Sequence, residues 1–205
     1  MKLKLSACVA LALIGLAACN RAEAPKAAEA ADVVAAGENA PAGPCNVSLE
    51  APWAAPAPTG ATGIVVTARA TGPSCVGAAA TLIMKDANGV ELVKFEAPLT
   101  QMPVIFTGTP DAAALRTELG QWLDQNEDLN TTGKLPEWKA GAAQPVSGEF
   151  PFYPEEGVTR DVYQAYRAKD APMFCFVQGA ESQACFMHDA AAGKIVRIGA
   201  QSFPG

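Results

Sequence analysis

Met173-Phe174-Cys175-Phe176-Val177-Gln178 and Gln183-Ala184-Cys185-Phe186-Met187-His188 decide the fold of this 205-residue chain. Each is an apolar run of strand length, and Gly179-Ala180-Glu181-Ser182 between them is turn chemistry. Two such runs joined by a short polar link read as an antiparallel hairpin. Ala180 is its midpoint, so Cys175 and Cys185 fall opposite each other. Lys194 to Gly199 follows as a third strand.

On the N-terminal side of this hairpin, Thr159 caps an expected helix that runs to Lys169 and buries Val162 and Tyr166. Residues 131–157 are rich in Pro and Gly. A structureless loop of that length is unusual inside a domain. Either Trp138, Phe150, Phe152 and Tyr153 pack it down or it marks a sub-boundary. Thr109-Pro110-Asp111 opens another helix, with a Thr cap, Pro at the first helical position and an acid near the positive end of the dipole. Leu115, Leu119, Trp122 and Leu123 recur at helical spacing and make one apolar stripe.

Strands dominate the first part of the domain. Ile64 to Arg69 is β-branched, and Val104-Ile105-Phe106 reads as a further short strand. Thr81 to Lys85 and Val90 to Phe95 flank Asp86-Ala87-Asn88-Gly89, a hairpin whose Asn and Gly tolerate positive φ. The Pro/Gly-rich segment 54–63 is a connector. Strands first, two helices in the middle and strands last give an α+β fold, a mainly antiparallel sheet with two helices. Residues 45–205 form this domain, with no internal repeat and enough chain for a real core.

Half of the residues are apolar and 18% are charged, which excludes wholesale disorder. A net charge of −6 argues against nucleic acid as a partner. His188 is the one histidine, so His-based metal sites are hard to build.

The N-terminus carries the address. Lys2 and Lys4 precede an apolar run from Leu5 to Leu16, too short for a membrane span but laid out as a secretory signal peptide over residues 1–18. Leu16-Ala17-Ala18-Cys19 follows at once. This motif in this place resembles the lipobox of bacterial lipoproteins. The resemblance implies diacylglyceryl transfer to the Cys19 thiol, cleavage before it and acylation of the new N-terminus. Only a thiol can carry that thioether. Each buried CH₂ contributes about 0.8 kcal/mol, so two or three chains anchor stably where one does not. Asn20, where inner-membrane retention uses Asp, implies an outer-membrane lipoprotein on the periplasmic face.

From the lipidated Cys19 to Pro44 the chain is Ala-, Glu- and Pro-rich, without an aromatic residue. It cannot bury enough apolar surface to offset its ordering entropy, so it reads as a flexible tether. As a coil it would span roughly 25–30 Å. Loss of Lys2 and Lys4 leaves 13 basic against 21 acidic residues, a net of −8. The lipid, not the protein surface, is then expected to hold the membrane.

Export places the remaining cysteines, Cys45, Cys75, Cys175 and Cys185, in an oxidising compartment where an even count reads as disulfides. Of three connectivities, the hairpin register favours Cys175–Cys185, which leaves Cys45–Cys75. No C-x-x-C occurs, and the spacing does not suit a zinc site.

Candidate chemistry is sparse. His188-Asp189 beside Cys185 suggests a Cys/His dyad, but a cysteine tied in a disulfide cannot supply a thiolate. Asp124, Asn126, Asp128 and Asn130 alternate as in a calcium loop. That loop wants Gly at its sixth position and Glu at its twelfth, where this chain has Leu129 and Leu135. Ser182 lacks the G-x-S-x-G elbow and reads as turn chemistry. Glu155-Glu156 answers a helix dipole. Phe150-Pro151-Phe152-Tyr153-Pro154 would contact a partner or sugar ring if exposed, and burial is the favoured reading. No catalytic residue, metal or cofactor is assigned.

The sequence therefore describes a lipid-anchored envelope module that binds a protein, a glycan or a small molecule. An inhibitor of a hydrolase such as lysozyme is the alternative, and an envelope enzyme using His188 or a carboxylate pair is the third reading.

Overall fold

Antiparallel pairing runs throughout the computed structural model, which describes residues 43–54, 61–108, 111–124, 129–147 and 150–202. The expected signal peptide, Cys19 and nearly all of the tether lie outside these residues. The first sheet is a meander of β1 (Cys45–Ala54), β2 (Ala61–Gly72), β3 (Ala79–Lys85) and β4 (Glu91–Pro98), paired in sequence order. Helix α1 (Ala112–Asp124) follows. Then come β5 (Val146–Ser147), β6 (Phe150–Pro154), α2 (Arg160–Lys169), β7 (Met173–Val177), β8 (Ser182–Asp189) and β9 (Lys194–Ser202). The second sheet has the order β5-β6-β9-β8-β7. The architecture is α+β, two antiparallel sheets with two helices.

The hairpin β7–β8 is the middle layer. Cys175 pairs with Cys185 in register, and the Gln178 N–H donates to the Ser182 carbonyl at 3.0 Å to close the turn. All five residues of β7 are buried, because both faces are covered. Phe174, Phe176, Ala184 and Phe186 face a core built with the first sheet and α1. Met173, Cys175, Cys185 and Met187 face a second core with Ile198, Phe152, Tyr163 and Leu135. Double coverage explains why these strands read as unbroken apolar runs without alternation.

The α1 stripe forms as the spacing predicts, with Leu115, Leu119, Trp122 and Leu123 all buried. Trp122 meets Phe95, Phe106 and Phe176 edge-on or tilted, and its indole N–H donates to the Val177 carbonyl at 2.9 Å. Thr109 and Pro110, the expected cap and first helical residue, lie outside the described residues. Asp111 does the capping: its Oδ1 accepts from the Ala113 and Ala114 N–H groups at 2.9 and 2.7 Å.

Four expectations need correction. Val104-Ile105-Phe106 is no strand: Ile105 and Phe106 both donate to the Met102 carbonyl, at 3.1 and 3.0 Å, in a turn. The connector 54–63 is shorter than expected, since Ala54 already pairs with Ala61. Helix α2 buries Tyr163, while Val162 is exposed and Tyr166 is half-buried. The stretch 131–157 is neither loose nor a boundary.

Helix α2 holds that stretch down by capturing its backbone. The Tyr163 hydroxyl donates to the Pro136 carbonyl, and Arg167 Nε to that of Leu135, both at 2.9 Å. Arg160 Nε and Gln164 Nε2 both donate to the Trp138 carbonyl. Buried Thr132 donates its hydroxyl to the Tyr166 carbonyl at 2.6 Å and accepts from the Ala171 N–H. An irregular segment with few ladder partners needs side-chain donors for its carbonyls, and α2 supplies them. Thr159 caps α2 as expected, accepting from the Val162 N–H.

Candidate functional site

The four domain cysteines are paired as Cys45–Cys75 and Cys175–Cys185, with Cα separations of 4.7 and 4.1 Å. The first bridge ties the start of β1 to the bend after β2. The second closes the middle hairpin inside the second core. Cys185 is thus no nucleophile. It also faces the second core, whereas the His188 ring meets Trp53 at 6.1 Å between centroids, on the side of the first core. A Cys185/His188 dyad is excluded on both counts.

The other candidates disperse. Asp189 pairs with Lys169 at 2.9 Å, and this hydrogen bond together with the Ala192 N–H holds its carboxyl below the usual range. Glu155 and Glu156 do not form a pair answering a helix: Glu155 binds Arg197 at 2.8 Å, and Glu156 sits exposed in a turn. Ser182 opens β8 and helps close its turn, its Oγ accepting from Gln178 Nε2 at 3.4 Å. Of the calcium-like string, Asn126 and Asp128 lie outside the described residues, Asp124 ends α1 and Asn130 lies beside β7. The aromatic segment is a strand with alternating fates. Phe152 is fully buried, while Phe150 and Tyr153 are about half-exposed, so wholesale burial is corrected. Among the described residues no group of three or more His, Cys, Asp or Glu is placed to hold a metal ion. Among them, too, no helix is long and apolar enough to cross a membrane.

Where β1, α1 and β7 converge, a cavity of about 190 Å³ opens. Trp53 near the end of β1, Val66 of β2, Leu123 of α1 and Phe174 of β7 give it apolar walls. Trp53 is held there edge-on to Phe174, 5.6 Å between centroids. Two polar side chains reach it, those of Asp124 and Asn130. Asp124 is exposed and sits at the C-terminal, partially negative end of α1, where a carboxylate is disfavoured. The Asn130 carbonyl accepts from the Met173 N–H at 2.9 Å, an edge bond that fixes this residue against β7. Its Oδ1 is shut off from solvent and has no hydrogen-bond partner. Buried polar groups are normally satisfied, so an orphaned one asks for an explanation.

Sequence reasoning missed three features. Trp53 belongs to a strand whose inward residues Cys45, Val47, Leu49, Ala51 and Trp53 alternate, a period that was there to find. Glu118 looks like a surface acid, yet its carboxylate is buried and accepts from the Thr107 and Gly108 N–H groups, both at 3.0 Å. The cavity depends on three distant segments meeting, which no local pattern announces. Compared with known proteins, the chain matches no family model, no curated protein and no solved structure.

Proposed function

We propose that this protein is a lipid-anchored envelope module that binds its target without catalysis, held on the periplasmic face of the outer membrane through Cys19. One observation carries the reading. All four domain cysteines are paired in disulfides, which suits an oxidising compartment and leaves Cys19, behind the apolar run, as the thiol for the lipid. The functional half of the proposal rests on the dispersal of His188, Asp189, Ser182 and Glu155 into structural roles, and on a cavity with a shielded polar atom. Binding needs complementary shape and a few placed polar groups, and the cavity offers both.

Labelled palmitate tests the anchor. The wild-type chain is expected to take up label in cells, and the Cys19→Ser form to take up none. Equal labelling of the two forms, or none in either, defeats the envelope reading.

A further inference from the structure

We infer that the cavity between β1, α1 and β7 is a site for a small organic cation, an ammonium group on a compact apolar body. The inference rests on the reading of the domain as a binding module, and it adds the class of ligand.

Size comes first. An apolar cavity of about 150 Å³ takes a benzene ring. The space here is about 190 Å³, room for a ring with a short side arm. Trp53, Val66, Leu123 and Phe174 offer that ring an apolar lining. A charged body without a ring would leave these walls wet.

The polar side chains choose the head group. Asp124 is an acceptor and Asn130 brings an unsatisfied acceptor oxygen, while no Lys, Arg or His is among the described lining residues. The negative end of the α1 dipole adds to the same sign. A carboxylate ligand would face repulsion from all three. An ammonium would relieve Asp124 of its unfavourable place at a helix C-terminus and give Asn130 Oδ1 a donor. Turning the amide to meet it breaks no hydrogen bond made by that oxygen.

Placement also suits a ligand arriving from solution. The tether enters at Cys45, whereas Trp53 lies eight residues further along the same strand. At about 3.3 Å per residue that puts the cavity roughly 26 Å from the point of attachment, away from the anchored end.

The test uses the full chain in non-ionic detergent, observed by the indole N–H resonance of Trp53, with three probes of one size: phenethylammonium, 2-phenylethanol and phenylacetate. Phenethylammonium is expected to saturate with a Kd of about 1 mM or below, the alcohol and the acid about tenfold or more weaker. Asp124→Asn, at an exposed position, should weaken the cation about threefold to fivefold and leave the alcohol unchanged. Equal binding of the three probes, an Asp124→Asn form indistinguishable from wild type, or no shift at Trp53 at about 10 mM cation each overturns the site. Palmitate labelling is independent of all these results. Labelling with no cation binding removes the site and keeps the anchor; binding with no labelling does the reverse.

Discussion

The two faces of the β7–β8 hairpin are packed by different means. Toward the first sheet the contacts are aromatic and aliphatic, with Trp122, Phe95, Phe106, Phe174, Phe176 and Phe186 in mutual ring contact. Regular strands and α1 satisfy their own backbones there, so side chains are left to fill volume. Toward α2 the cover includes an irregular stretch, residues 132–138, whose carbonyls are met by Tyr163, Arg160, Gln164 and Arg167. The first face is held by buried area and the second by area plus a set of directed bonds. Irregular backbone can lie against a core only where side chains replace the missing ladder.

Substitutions should separate the two faces. The largest effect belongs to the first: Trp122→Ala removes the hub of the ring cluster and the donor to Val177, at an expected cost of about 3–5 kcal/mol in denaturant unfolding. On the second face, Tyr163→Phe keeps the ring and deletes one donor, leaving the Pro136 carbonyl without that partner, for about 1–3 kcal/mol. A Trp122→Ala cost no greater than that of Tyr163→Phe would break the contrast.

Alkaline pH sharpens it. Burial pushes the Tyr163 phenol well above its ordinary value of 10.0, with nearby Arg167 offsetting part of the rise. The folded protein therefore keeps a proton that the unfolded chain gives up. The stabilisation is complete below pH 10 and is lost progressively as pH rises above it. A wild-type unfolding free energy that declines above pH 10, with a shallower decline in Tyr163→Phe, is the expected pair of curves.

How much of this was legible follows the same division. The middle hairpin, the α1 stripe and the Asp86–Gly89 turn were readable because each is governed by near neighbours. In that turn Asp86 Oδ1 accepts from the Asn88 and Val90 N–H groups, and Gly89 has a φ of +81°. The Thr159 cap was readable for the same reason. β1 was missed because Asn46, Ser48, Glu50 and Pro52 interrupt its inward alternation with turn-like residues. The buried face of α2 was misread because Tyr163, not Val162, can reach the Pro136 carbonyl across 27 positions of sequence. Gly199 shows the limit most sharply. It lies opposite Cys185 at a β-bulge with a φ of +151°, and a Cβ there would collide with the Tyr153 carbonyl. Nothing within a few residues of Gly199 shows this. The candidate site was the least legible part, since Trp53, Asp124, Asn130 and Phe174 come from four separate stretches of chain.

The central claim is that this is an oxidised, lipid-bearing envelope protein whose domain thiols are all consumed in its two bridges. Intact mass after alkylation, with and without prior reduction, tests it on material taken from the membrane fraction. The account predicts a chain beginning at an acylated Cys19 that takes up no alkyl group before reduction and four after it, at Cys45, Cys75, Cys175 and Cys185. A chain still beginning at Met1, or domain cysteines that alkylate without reduction, would contradict it.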